Sequence, residues 1–232
     1  MTKTALLCLP ALALATLAAA PAPALAQSAS PWSFEVGAGT DNRSKGASKS
    51  GNDPYVFGSA TWESADGRFY VSPAAETIDA GGSDVEAEIA LGYAPEAYGY
   101  VFDFNVAYKN RLDANAGYDD DTVEFSASAS RAIGPARGRL LVQYSPDAAG
   151  STEAFTWVEG RVGWTFTNRL GATVALGRRE QDNAPDYTAW NAGVTYGLTD
   201  ALDLDVRWYD TDANEFGDQY KSALVAKIAY AF

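Results

Sequence analysis

Histidine is missing altogether from the 232 residues, and cysteine occurs once, at Cys8. The first absence removes Ser-His acyl transfer, His-Asp proteolysis and imidazole metal ligands. The second means that no disulfide holds an exported form of the chain, so order must come from a core or from hydrogen bonding around a closed sheet. After residue 26 no apolar run approaches the ~20 residues of a membrane-spanning helix. Basic residues are also few, 17 against 30 acidic ones, and the net charge of -13 repels nucleic-acid phosphates. No EF-hand spacing occurs, so the acidic run 118–121 and Asp210, Asp212, Glu215 and Asp218 read as solvated loops, and neither a metal nor a cofactor is expected.

What is present begins with Lys3, an apolar stretch from Ala5 to Ala20, and Ala24-Leu25-Ala26 just before Gln27. This is the pattern of a signal peptide, residues 1–26, cleaved on export. Pro10, Pro21, Pro23 and the many alanines argue against a retained membrane anchor. Residues 27–232 remain as one domain, with 13 Tyr, 10 Phe and 6 Trp in the chain at a mean hydropathy of only -0.18. Moderate polarity with abundant aromatics is how a membrane barrel reads, because one face of each strand meets lipid and the other meets water.

From Trp32 onward about twelve segments of roughly 10 residues alternate with period two. In "LDLDVRWYD", Leu202, Leu204, Val206 and Trp208 share one face, and Asp203, Asp205, Arg207 and Tyr209 the other. Tight links at 64–67, 134–137, 167–169 and 199–201 alternate with generally longer polar ones such as 42–53, 111–120 and 212–219. With the first strand starting in the periplasm, every tight turn falls on that side. Trp32, Trp62, Phe69, Tyr93, Trp164, Phe166, Tyr230 and Phe232 would form one aromatic girdle; Tyr108, Tyr144, Trp157, Tyr187, Trp190 and Trp208 mark the other. The fold expected is all-β: a transmembrane antiparallel up-and-down β-barrel of about 12 strands in a bacterial outer membrane.

On that pattern Glu35, Glu86, Glu88, Asp103, Glu124, Glu159, Asp203 and Asp205 point inward, with Lys109, Arg139, Arg161, Arg179, Arg207 and Lys227. Such side chains wet a lumen and set a field across the path. The acidic excess favours cations, while a ladder of Arg139, Arg161, Arg179 and Arg207 on one wall would favour anions. The same-face carboxylate pairs Glu86 with Glu88 and Asp203 with Asp205 read as lumen charges rather than an acid-base pair, so no enzyme is expected. The function this suggests is passive diffusion of small hydrophilic solutes or ions; the rival is a structural or adhesive barrel with a filled lumen and functional outer loops.

In "TDNRSKGASKSGNDP", residues 40–54, Asp41, Arg43, Gly46, Ser48 and Pro54 resemble the opening motif of the TorF porin family, and Lys45 keeps the charge of that motif's second arginine. Asn42, Ser44 and Ala47 stand where the motif has larger apolar residues. The resemblance implies an outer-membrane barrel that passes small solutes. It leaves Arg43 and Lys45 two roles: charges at a constriction, if the loop turns inward, or solvated charges facing lipopolysaccharide phosphates, if it stands out. The other partners expected are membrane lipid and the outer-membrane assembly machinery, for which the alternating end "KIAYAF" with Tyr230 and Phe232 looks like a signal. Deleting Phe232, or Phe232→Asp, should therefore lower the amount of barrel assembled in cells; assembly at the wild-type level would remove that role.

Overall fold

The computed structural model describes residues 30–232, so the expected signal peptide lies outside the described residues. The chain forms β1 (Trp32–Gly39), β2 (Tyr55–Glu63), β3 (Phe69–Ala80), β4 (Ser83–Tyr93), β5 (Tyr100–Leu112), β6 (Asp121–Ile133), β7 (Ala136–Ala148), β8 (Glu153–Thr165), β9 (Leu170–Gln181), β10 (Tyr187–Gly197), β11 (Leu202–Thr211) and β12 (Ala223–Ala231). Each pairs antiparallel with its neighbour in sequence, and β12 returns to pair with β1, Glu35 opposite Ala231 and Gly39 opposite Lys227. The expected all-β closed barrel of twelve antiparallel strands is what forms. Closure leaves no sheet edge, which a chain without disulfides needs if hydrogen bonding is to hold it.

Alternation then sorts side chains by parity. Leu140, Val142, Val162, Val174, Leu176 and Leu224 are exposed on the outside, while Glu86, Glu124, Glu159, Arg161, Asp205 and Arg207 are buried within. A buried apolar cluster also lies inside, built from Leu141, Phe155, Trp157, Tyr187 and Ala189 with Ala148 and Ala213. Here two residues depart from the girdle assignment. Trp157 and Tyr187 are only 3% and 1% exposed and belong to the interior. Their parity is that of Glu159 and Arg179, and height along the barrel does not override the two-residue period.

The connections at the end where β1 begins are 64–68, 94–99, 134–135, 166–169 and 198–201; the opposite end carries 40–54, 81–82, 113–120, 149–152, 182–186 and 212–222. Two members of the second set depart from expectation: 149–152 is no longer than most of the tight turns opposite, and Gly81-Gly82 is a two-residue turn at the long-loop end. Both glycines have φ > 0 (65° and 83°), as such a hairpin turn requires. Asn115 and Tyr118 of the 113–120 connection occupy the space a Cβ would take at these glycines, and Asn115 N–H donates to the Gly81 carbonyl at 2.9 Å. The short turn is the floor on which the longer loop rests.

Tyr70 on β3 faces Gly92 of β4 in register, and its ring lies where a Gly92 side chain would be. Crossing that glycine, it reaches β5, where its hydroxyl donates to Asp103 at 3.1 Å. Gly92→Val should displace the ring and cost about 1–3 kcal/mol in overpacking. Gly138 faces outward with nothing near its missing Cβ, so Gly138→Val is the matched control. On a detergent gel, only the Gly92 variant should lose its compact, unboiled band at a lower temperature than wild type.

Candidate functional site

The stretch after β1 turns inward and is knotted on itself around Arg43. Its backbone pairs Arg43 with Ser48 and Ser44 with Ala47 across a turn in which Lys45 and Gly46 take φ of 52° and 87°. The Arg43 guanidinium donates to Asp41 Oδ2 at 2.5 Å, to the Gly46 carbonyl at 3.0 Å, to Asn52 Oδ1 at 2.9 Å and to the Lys221 carbonyl at 2.8 Å. Asp41 also accepts from Ser48 Oγ at 2.6 Å. With its side chain 1% exposed and four of its five N–H donors used, Arg43 fastens the hairpin rather than lining a constriction or meeting lipopolysaccharide.

The knotted hairpin reaches several walls of the barrel. Gly46 packs against Ala189 on β10 and Thr211 on β11. Lys45 Nζ donates to both oxygens of Glu124 on β6 at 3.2 Å and lies 4.9 Å from the centre of the Phe155 ring on β8. Lys49 bonds Glu76 on β3 and Glu86 on β4, the latter at 2.7 Å. Burial pushes the Lys45 ammonium down to about 8, against the pull of Glu124. Burial opposes the charge on Lys49 too, but Glu76 and Glu86 outweigh it and raise that group. Docked Lys45 therefore holds its proton less firmly than the solvated group at 10.5, so docking grows more favourable as pH rises from about 8 towards 10.5.

Most of the remaining inward residues fall into three groups. In the first, Glu86 meets Arg111 at 3.5 Å, Lys109 bridges Glu88 at 3.5 Å and Glu124 at 3.1 Å, and Gln143 donates to Ser126 at 3.0 Å. In the second, Arg161 grips Glu159 through two bonds of 3.1 and 3.3 Å, while Arg207 takes Asp205 at 3.0 and 3.2 Å and Asn191 at 2.8 Å. The third holds Lys227 within the electrostatic reach of Glu35 and Asp203, with Lys227 Nζ 4.9 Å from the Phe57 ring centre. The two carboxylate pairs are thus tied to cations in part: Glu86 and Glu88 to separate partners, Asp205 to Arg207.

No arginine ladder runs up the wall. Arg139 and Arg161 are opposite each other in register, but Arg179 sits over the Phe155 ring at 4.2 Å and Arg207 is absorbed by its carboxylate and amide partners. Sequence reasoning missed Lys49, Glu76 and Arg111. Lys49 lies among the polar residues of the 42–53 link, and Arg111 opens the expected 111–120 link although β5 runs on to Leu112. Glu76 shares the inner parity of Tyr70 and Ser72 on β3, which was its available signal. Tyr230 and Phe232 face outward: Phe232 stacks on Phe34 at 5.5 Å, and the two exchange backbone hydrogen bonds of 2.9 and 3.0 Å across the β1–β12 seam.

A closed twelve-stranded antiparallel barrel with a charged interior and an inturned hairpin is the class that this fold and site define. More narrowly, the chain belongs to the family Gcw_chp, described as "bacterial protein of unknown function", whose model matches residues 24–231. No curated protein matches it. Among solved structures it is similar to the NanC porin (TM-score 0.61, 10% identity, covering 86% of this chain and 98% of that one). It also resembles the KdgM porin (0.58, 8%, 86% and 99%). A third match is the COG4313 outer membrane channel from Pseudomonas putida F1 (0.55, 11%, 87% and 95%). At these identities the likeness is one of fold.

Removing the Arg43 guanidinium leaves Asp41 buried without its cation, a change that costs about 3–5 kcal/mol where it has been measured in buried pairs. Arg43→Leu should free the hairpin while leaving the barrel closed. Limited trypsin digestion of the folded protein should then cut at Lys45 or Lys49, sites protected in the wild type, with the compact gel band unchanged before digestion.

Proposed function

We propose that this chain is a porin-like channel of the TorF type in the bacterial outer membrane, passing small hydrophilic solutes or ions by passive diffusion. In this reading residues 1–26 direct export and are removed, Tyr230 and Phe232 are read by the assembly machinery, and lipopolysaccharide surrounds the long-loop end. The observation that carries it is the interior: charged side chains from most of the strands face a common axis, and the Arg43-knotted hairpin enters it to meet Glu86, Glu124 and Ala189. Apolar and aromatic side chains such as Leu140, Val162, Trp164 and Trp190 clothe the outside, as lipid requires. The fold neighbours support the reading by their descriptions as porins and channels, one of them, the KdgM porin, in complex with disordered oligogalacturonate.

The hairpin's reach between β6 and the β10–β11 wall favours the second reading, a structural or adhesive barrel whose lumen is filled. Planar-bilayer recording separates the two. Discrete conductance steps from the wild type are expected, and larger steps when residues 44–49 are replaced by a short Gly-Ser link. Steps only in the shortened variant would make the hairpin a plug; no steps in either would leave the structural barrel.

A further inference from the structure

The two ends of the barrel differ sharply in charge. Within the six connections of the long-loop end and four strand residues on either side, fourteen Asp and Glu are exposed, Asp113, Asp119, Asp121, Asp182 and Glu215 among them. The exposed bases there are two, Arg178 and Lys221, and each is held by a rim carboxylate, Asp186 at 3.6 Å and Asp218 at 2.6 Å. At the short-turn end, counted in the same way, three exposed acids (Asp66, Glu96 and Asp200) are matched by three exposed arginines (Arg68, Arg131 and Arg169). The hairpin lysines do not offset the acidic rim, because Lys45 and Lys49 are committed to Glu124, Glu76 and Glu86 inside. Crowding is felt within the rim: desolvation, then the neighbouring Asp147, Asp121 and Asp120, raise the Asp119 carboxyl above its ordinary value.

We infer that the passage is electrically polarised along its axis: it draws cationic solutes in from the long-loop side and conducts unequally in the two directions. This rests on the channel reading. Fixed charge at a low-dielectric mouth concentrates counter-ions there. When the long-loop compartment is positive, cations enter through the end where they are already concentrated, the lumen fills with carriers and conductance rises. With the opposite sign they enter through an end with no such enrichment, and the lumen is depleted. The effect needs a screening length comparable with the mouth, ~30 Å at 0.01 M salt, and disappears near 1 M, where the length is ~3 Å.

The test is the current ratio at equal and opposite voltages, recorded at about 0.01 M and 1 M potassium chloride. Orientation is read from Ala116→Cys in the exposed 113–120 loop, labelled from one compartment by a membrane-impermeant thiol reagent. The low-salt current should be larger when the long-loop compartment is positive, and the ratio should return to one at high salt. A variant carrying Asp113→Asn, Asp119→Asn, Asp121→Asn, Asp182→Asn and Glu215→Gln touches neither hairpin nor lumen and should bring the low-salt ratio towards one. Open channels with equal currents at low salt, or a ratio unchanged in that variant, overturn the inference and leave the channel reading standing. Silence from every protein at every salt overturns both.

Discussion

Ring closure of backbone hydrogen bonds is the constraint from which the rest of this molecule follows. No disulfide stands in reserve, and outside the barrel the apolar side chains face away from any core, so the ladder around the cylinder must be complete. Its completion at the seam, where Phe34 and Phe232 exchange backbone bonds beneath stacked rings, leaves the strands of the cylinder no unpaired edge. Once strands are locked in register, each side chain has only two directions to choose between. The charged interior is thus a consequence of alternation along closed strands, and the loops inherit a cylinder already lined with carboxylates and cations.

A lined cylinder imposes its own electrostatic condition. Buried charge is tolerated only when it is paired and hydrogen-bonded, and most inward acids meet that condition through a cation on the same or a neighbouring strand: Glu159 with Arg161, Asp205 with Arg207, Glu88 with Lys109. Glu76, Glu86 and Glu124 use the hairpin as well, and this explains why that segment turns inward although its composition is that of an outer loop. Lys45 and Lys49 complete networks that the wall strands leave short of positive charge. Arg43 makes the arrangement rigid by spending its guanidinium on the hairpin's own carbonyl and carboxylate groups.

The barrel was legible because its signal is local: Leu202 to Tyr209 announces both faces of one strand without reference to any other part of the chain. The charged lining followed from the same parity, as did the outward placement of Tyr230 and Phe232. Trp157 and Tyr187 were misassigned where two signals conflicted, aromatic identity near a rim against inward parity, and parity prevailed because backbone geometry enforces it. The path of the hairpin was not legible, since its direction depends on Glu76, Glu86 and Glu124, which approach Lys45 and Lys49 only after the cylinder exists. Likewise the two-residue turn Gly81-Gly82 lies under Asn115 and Tyr118, a relation that no local pattern records.

The Arg43 bond to the Lys221 carbonyl joins the loop that follows the first strand to the loop that precedes the last. Those two segments are brought together only when β12 has met β1. The bond therefore belongs to the finished ring and cannot guide the earlier steps of its making. Its effect is a second link across the join, made by a side chain and independent of the backbone ladder of the seam. Parting the first strand from the last would therefore break the clasp as well as the ladder, so the join is tied by two kinds of bond.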